Sequence, residues 1–218
     1  MIVVIDGPAG SGKSSTARAV AHELNIQYLD SGALYRAVTY LFLKSEQSLP
    51  KFFESLYSAQ LTFKFDNEFQ VTLNGEVITE TIRDPMVSLH VSGIAAIAKV
   101  REFINAIMKK AVQHDLYIAD GRDLGTAVFP NAKCKFFMIA DLETRAKRRH
   151  QELNSKGIQM SYSDVVAEIK RRDQIDSTRE EDPLKQADDA ILVDSSAFSF
   201  DKQVQYIVKK IKESIIIE

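Results

Sequence analysis

The sequence predicts an α/β protein in which a five-stranded parallel sheet is flanked by helices. Short apolar runs bounded by turn residues alternate with helical patterns along the chain, and that alternation is typical of parallel strands joined by helices. A glycine-rich segment at residues 7–12 lies directly between the first apolar run and the first helical pattern. Such a strand–loop–helix arrangement supports the same fold class.

Five apolar runs are predicted to be the strands of the sheet, because runs this apolar suit strands buried on both faces. They lie at 2–5, 27–29, 116–119, 136–139 and 191–193. Helical patterns follow most of them, at about 13–24, 32–44, 142–154 and 201–214. The last pattern is preceded by Asp194, Ser195 and Ser196, which are residue types that cap helices.

One segment departs from this alternation. Residues 61–65, 69–73 and, less cleanly, 76–79 alternate apolar with polar side chains, and Asn74-Gly75 supplies a turn. The segment predicts a small antiparallel sheet, and a helical stretch at about 86–114 leads back from it. We therefore expect one domain made of a core at about 1–58, 115–144 and 185–218, an insert at about 59–114 and a helical lid at about 145–182.

Composition excludes several classes of protein. The 218 residues suit one domain, and the net charge of −2 is unlike the basic surface of a dedicated nucleic-acid binder. The single cysteine, Cys134, lies beside an apolar run and is predicted to be a buried thiol. No run is long enough to span a bilayer. We expect a cytoplasmic monomer with no nucleic-acid or membrane partner.

The segment that begins at Gly7 matches the phosphate-loop motif G-x-x-x-x-G-K-[ST] without a gap. Its glycines allow backbone N–H groups to surround phosphate oxygens, and the helix N-terminus adds a positive dipole end. Lys13 supplies a charge to the β- and γ-phosphates, and Ser14 a hydroxyl ligand for Mg²⁺. The predicted ATP-binding residues are Gly7, Pro8, Ala9, Gly10, Ser11, Gly12, Lys13, Ser14 and Ser15.

Charged residues follow two predicted strands, at the sheet edge where α/β proteins bind ligands. Residues 30–36 follow the second strand, with Ser31 as a candidate helix cap and Arg36 within the helix. Residues 120–123 follow the third strand and contain Arg122 between two aspartates. Asp120 resembles the acid that completes the Mg²⁺ shell in many phosphate-loop enzymes. Asp30 is an alternative for that role.

More arginines lie on two helical patterns joined by a polar turn at 154–157. Arg145 and Arg149 share a face of the first helix because they are four residues apart. Two basic helical ends of this kind predict a lid that closes over a transferring phosphoryl group and excludes water. The competing interpretation is a nucleic-acid-binding patch. The basic residues on the two helical patterns are Arg145, Arg148, Arg149, Arg171, Arg172 and Arg179.

The phosphate loop by itself leaves several functions open. A GTPase requires a guanine-reading N-K-x-D element, which the chain lacks, and a motor ATPase usually has a longer chain. A small-molecule kinase explains the dispersed arginines, because it must hold two anions face to face. The phosphate loop leaves the acceptor of such a kinase open, and UMP and a non-nucleotide alcohol are among the alternatives. An ATP-dependent switch without phosphoryl transfer and an RNA-binding protein that uses the 145–149 helix remain as alternatives.

The chain resembles bacterial cytidylate kinase, a family of nucleoside monophosphate kinases. The run Asp-Gly-Arg-Asp-x-Gly-Thr-x-Val-Phe-Pro at 120–130 is the most specific part of this resemblance, and the antiparallel insert is also typical of the family. The resemblance implies a three-layer P-loop kinase fold and ATP-dependent phosphorylation of CMP and dCMP with Mg²⁺. The other matching stretches are 5–15, 29–36, 172–179, 183–187, 189–190 and 194–196.

The resemblance also implies roles for individual residues. Tyr35, Arg36 and Arg122 are similar to the residues that hold the acceptor phosphate. Arg172 and Asp176 are similar to the sugar contacts, and Arg145 and Arg149 to lid arginines that contact the donor phosphates. With Lys13 and Arg122, these two lid arginines form the predicted catalytic set. The residues similar to those that read cytosine are Ser31, Ser92, Arg101, Asp123 and Arg179.

The chain differs from the family pattern before Arg101, because the usual proline is missing from Ile97-Ala98-Lys99-Val100. We therefore expect the helix to continue through this point without a break. Cytosine has a donor at N4 and an acceptor at N3, whereas uracil reverses both. A site in which an arginine donates and Asp123 accepts therefore mismatches uracil twice. At about 1–3 kcal/mol for each unpaired buried group, discrimination is of order 10²–10⁴.

Overall fold

The computed structural model describes residues 1–216. Strands and helices alternate within these residues, apart from three pairs of consecutive α-helices and one run of three strands. The strands are β1 (Ile2–Asp6), β2 (Gln27–Asp30), β3 (Leu61–Phe65), β4 (Phe69–Leu73), β5 (Glu76–Val77), β6 (Tyr117–Gly121), β7 (Cys134–Ile139) and β8 (Ile191–Asp194). The helices are α1 (Lys13–Leu24), α2 (Ser31–Lys44), α3 (Leu49–Ser58), α4 (Pro85–Ala95), α5 (Ala98–Ala111), α6 (Leu142–Ser155), α7 (Tyr162–Thr178) and α8 (Phe200–Ile216).

A five-stranded sheet with the order β2-β6-β1-β7-β8 confirms the predicted α/β class. β1 pairs in parallel with β6 and β7, and β7 pairs in parallel with β8. All five residues of β1 are buried, as expected of a central strand covered on both faces. The predicted buried thiol, Cys134, lies at the start of β7, and burial raises the pKa of this thiol.

The chain forms two compact units. Within the described residues, the first contains 1–28 and 112–216, and the second contains Leu29–Ala111. The predicted division into core, insert and lid stays a prediction. None of the helices within residues 1–216 combines the length and the hydropathy needed to cross a lipid bilayer.

The second unit contains the predicted antiparallel sheet, with the order β3-β4-β5. Asn74 and Gly75 join β4 to β5 with positive φ angles of 52° and 84°, which is the backbone that a two-residue hairpin turn of this type requires. The third strand is shorter than predicted, because only Glu76–Val77 pairs with β4.

Sequence analysis missed helix α3, which packs in the core of the second unit. Phe52 and Leu56 are buried one turn apart on this helix. The Phe52 ring packs edge-on against Phe42, with ring centroids 5.5 Å apart. The signal was present, because Ser48 lies at the N-cap and Pro50 in the first turn, where proline is well tolerated.

The expectation of an unbroken helix before Arg101 was wrong. α4 ends at Ala95 and α5 begins at Ala98, although the intervening residues include neither proline nor glycine. The break leaves the carbonyl of Ala95 outside the helical ladder, and the Arg101 guanidinium donates a hydrogen bond to it at 3.3 Å. The buried Arg101 side chain thus supplies a hydrogen-bond donor to the last carbonyl of α4, although the sequence contains no helix-ending residue there.

Two predicted helix caps were also wrong. Asp30, not Ser31, caps α2, because its Oδ1 accepts a hydrogen bond from the N–H of Ala33 at 2.9 Å. α8 begins only at Phe200, so the polar cluster at 194–196 does not cap it. Ser195 instead extends the strand ladder, since its N–H donates to the carbonyl of Ile139.

We expect Phe52→Ala to lower the free energy of unfolding by about 3–5 kcal/mol, because it leaves a cavity in the core of the second unit. Tyr57→Ala on the same helix is the matched control, since Tyr57 is 71% exposed and surface changes usually stay within about 0.5 kcal/mol. Urea unfolding followed by circular dichroism measures both. Equal losses in the two variants would contradict this description of the core.

Candidate active site

The loop between β1 and α1 has the backbone of a phosphate-binding loop. Gly7 approaches the carbonyl of Met138 so closely that a Cβ atom at this position would overlap it. Gly12 lies at the N-cap of α1 with a φ of 90°, in the left-handed region that favours glycine. Since Gly12 has no side chain to cap the helix, the first N–H groups of α1 are available to an anion.

Lys13 is the first residue of α1 and is buried. Its Nζ donates a hydrogen bond to the carbonyl of Pro8 at 3.1 Å. Burial and, to a lesser extent, the positive charge of Arg122 together lower the pKa of this ammonium to about 7, while Asp120 opposes the shift. A desolvated cation at the end of a phosphate loop is strongly stabilised by an incoming phosphate, because little water screens the attraction.

Asp120 lies against the loop, at the end of β6. Its Oδ2 accepts a hydrogen bond from Ser14 Oγ, and its Oδ1 accepts one from Tyr28 OH, both at 2.6 Å. A hydroxyl and a carboxylate in contact are oxygen ligands of the type that Mg²⁺ takes from proteins, together with water and phosphate oxygens. Within residues 1–216, no group of three or more acidic, histidine or cysteine side chains forms a protein-only metal site.

Asp6, the last residue of β1, joins the phosphate loop to the chain that follows β6. Its carboxylate accepts hydrogen bonds from the N–H groups of Leu124 at 3.0 Å and Gly125 at 2.7 Å. These two residues begin a π-helical turn directly after Asp123. Burial raises the pKa of Asp6 to about 7 against these two hydrogen bonds, which lower it. Sequence analysis missed this residue.

Four of the predicted substrate-binding residues form two ion pairs. Arg122 donates to Asp176 at 2.8 Å, and Arg179 donates to Asp123 at 2.7 Å, with three of the four side chains at most 5% exposed. Burial favours a higher pKa for Asp176, but Arg122 and the other nearby arginines outweigh it and hold the pKa below its usual value. The Arg122–Asp176 pair places opposite charges near Lys13, whose pKa responds to both residues.

The arginines of α6 differ in what they contact. Arg145 donates hydrogen bonds to the carbonyl of Ala9 in the phosphate loop at 2.9 Å and to Asp173 of α7 at 2.6 Å. Arg149 pairs with Glu152 on its own helix at 2.8 Å. Arg148, which was not among the predicted site residues, donates to the carbonyl of Ser11 in the loop at 3.4 Å.

Ser195 also contacts the phosphate loop, and it too was missed. Its Oγ donates to the carbonyl of Ser11 at 2.8 Å, and it accepts a hydrogen bond from Arg148 at 2.9 Å. The sequence contained a signal for each of these residues. Arg148 is a basic residue next to Arg149, and Ser195 belongs to a polar cluster at the carboxyl end of a parallel strand, where ligand sites form.

The second unit brings another predicted group together. Arg36 donates to Ser88 Oγ at 2.8 Å, and the guanidinium of Arg101 lies over the ring of Tyr35, 5.8 Å from its centroid. Ser88 was missed, although it lies one helical turn before Ser92 on α4. Ser31 and Ser92 complete the predicted set in this unit and are buried, as are Tyr35 and Arg101, whereas Arg36 is half-buried.

The buried strand, the glycine loop that ends in lysine and serine, and the arginines of α6 together define a P-loop phosphotransferase. The sequence model of the family described as cytidylate kinase matches residues 3–213. The chain belongs to the cytidylate kinase family.

Individual relatives agree with this assignment. The cytidylate kinase of Carboxydothermus hydrogenoformans is 42% identical over 222 residues, covering 99% of this chain and 97% of that protein. The cytidylate kinase of Clostridioides difficile strain 630 is 42% identical over 214 residues, covering 97% and 98%. A crystal structure of an uncharacterized protein from Eubacterium ventriosum supports the fold alone, with a TM-score of 0.53, 13% identity and coverage of 97% and 98%.

We expect Lys13→Met to stabilise the protein more at pH 6 than at pH 9. The folded-state pKa of about 7 is lower than the unfolded value, so the wild type loses stability as the pH falls from about 10 to 7. Methionine removes that loss. The gain in the free energy of unfolding is therefore larger at pH 6 than at pH 9, by on the order of 2–3 kcal/mol. Chemical unfolding at both pH values measures it, and an equal gain at both would contradict the depressed pKa.

Proposed function

We propose that this protein transfers the γ-phosphoryl group of ATP to CMP and dCMP, forming ADP with CDP or dCDP. The observation that carries the proposal is the buried Lys13 of a phosphate loop in a chain that the cytidylate kinase family matches over residues 3–213. The cytoplasmic compartment and the monomeric state stay predictions. The net charge of −2 favours free nucleotides over nucleic acid as partners.

On the donor side, we assign ATP to residues 7–15, with Lys13, Arg145 and Arg149 on its phosphates. The contact of Arg145 with the loop supports its part in this assignment. Ser14 and Asp120 are the residues that would hold Mg²⁺, since their oxygens already lie within 2.6 Å of each other. Bound Mg²⁺ supplies positive charge to the phosphate oxygens. Asp30 is the weaker candidate, because its carboxylate caps α2.

On the acceptor side, we assign the phosphate of CMP to Tyr35, Arg36 and Arg122. The hydrogen bonds from Arg36 to Ser88 and from Arg122 to Asp176 hold the two guanidinium groups in defined positions, which suits planar recognition of a phosphate. We assign the sugar to Arg172 and Asp176. The residues assigned to cytosine are Ser31, Ser92, Arg101, Asp123 and Arg179.

The proposed mechanism is direct in-line transfer between the two nucleotides. The 5′-phosphate oxygen of CMP is already anionic, so no general base is required. Lys13 and the arginines stabilise the charge on the transferring group and hold the reactants in line. We propose that the lid at about 145–182 excludes water, which would otherwise accept the phosphoryl group.

The test of this function is ADP production from ATP and Mg²⁺ with CMP, dCMP, UMP and AMP in parallel. We expect turnover with CMP and dCMP and little with UMP or AMP. Equal turnover with UMP would contradict the assignment of the cytosine-reading residues. The absence of turnover with all four acceptors would contradict the proposed function.

We expect Asp123→Asn to lower kcat/KM for CMP by about 10–10²-fold, since a buried donor on cytosine loses its charged acceptor. The asparagine oxygen still accepts a hydrogen bond from Arg179, and its NH₂ group suits O4 of uracil. The CMP-to-UMP ratio of kcat/KM therefore narrows. Asp188→Asn, an exposed aspartate, is the control. If kcat/KM for CMP falls but the CMP-to-UMP ratio of kcat/KM does not change, Asp123 acts in folding and not in base recognition.

A further inference from the structure

Two side chains from different helices bind the two polar groups of Ala9 in the phosphate loop. Arg145 Nη1 of α6 donates to the carbonyl of Ala9 at 2.9 Å, and the N–H of Ala9 donates to Asp173 Oδ1 of α7 at 3.3 Å. The same Arg145 nitrogen donates to Asp173 Oδ2 at 2.6 Å. We call this closed set of hydrogen bonds, formed by Ala9, Arg145 and Asp173, the Ala9 clamp.

The clamp restricts the Arg145 guanidinium from several directions. Arg145 Nε donates to the carbonyl of Ala140 at 3.1 Å, so its nitrogens contact three fixed acceptors. The backbone is close as well, because a Cβ atom at Gly10 would lie 3.2 Å from the Cβ of Arg145. The Arg145 side chain is 9% exposed and that of Asp173 is 23% exposed. Of the three acceptors, only Asp173 contributes charge.

We propose that Asp173 is a positioning residue for phosphoryl transfer, which orients Arg145 at the phosphate loop and joins α6 and α7 to it. This inference rests on the proposed function of Arg145 as a donor-phosphate ligand. A charge-assisted contact to a planar guanidinium fixes direction as well as distance. An arginine fixed in advance loses little freedom when phosphate binds, which is the advantage of preorganisation in phosphoryl transfer.

Simple electrostatics and a positioning role predict opposite changes in nucleotide affinity when the Asp173 charge is removed. A carboxylate near the loop repels a triphosphate, so electrostatics alone predicts that Asp173→Asn tightens nucleotide binding. The clamp predicts weaker binding, because Arg145 loses its charged partner and the loop loses a contact. The direction of the change in nucleotide affinity therefore separates the two.

The experiment is a double-mutant cycle with Asp173→Asn, Arg145→Gln and the double variant, and with Asp188→Asn as the control. The first readout is the Kd of a non-hydrolysable ATP analogue with Mg²⁺, which requires no acceptor. The second is kcat and KM with CMP. We expect Asp173→Asn to raise the Kd, to lower kcat by on the order of 10–10²-fold and to change KM for CMP little. Asp173→Glu retains the charge and should recover part of the loss.

If Asp173 acts through Arg145, the double variant is no worse than Arg145→Gln alone in Kd and in kcat. Additive losses, a lower Kd for Asp173→Asn, or a fall in melting temperature with kcat unchanged would each overturn the proposal. If Asp173→Asn does not fold, Asp173→Glu completes the cycle. A wild-type protein without CMP turnover would refute the proposed function, and the Kd cycle would still decide the role of Asp173.

Discussion

The parallel pairing of β1 with β6 is the constraint on which the donor side of the site depends. Its register places Ile5 beside Asp120 and Asp6 beside Gly121, so both strands end at the same edge of the sheet. The phosphate loop leaves from β1 there, and the segment that carries Arg122 and Asp123 leaves from β6. Ser14 donates a hydrogen bond to Asp120 across this junction, and Asp6 accepts one from the N–H of Leu124. The positions of the two segments are therefore interdependent.

Charge is distributed unevenly within the first unit. Arg122 and Arg179 are each matched by a carboxylate, which offsets part of the cost of burying their charges. Lys13 is buried against a carbonyl, and its depressed pKa records the cost of holding an ammonium there. An anion that enters the loop relieves this cost. Stability and nucleotide affinity are therefore opposed at Lys13, as is common at functional sites.

Local patterns predicted most of the sheet and the phosphate loop. The five strands were found because central and near-central strands are continuously apolar, as in β1, and the loop was found because its motif is contiguous. The break between α4 and α5 was missed because residues 95–98 offer no helix-breaking residue. The hydrogen bond from Arg101 to the carbonyl of Ala95 satisfies the helix end at that point.

The sequence by itself determined the α/β class, the phosphate loop, the antiparallel insert and the family, because each depends on residues that are contiguous or regularly spaced. Only the tertiary structure decided which charges are partners. Arg122 and Asp176 are 54 residues apart, Asp123 and Arg179 are 56, and Arg145 and Asp173 are 28. No local pattern encodes such pairings, because they depend on strand register and on how α6 and α7 pack beside the loop.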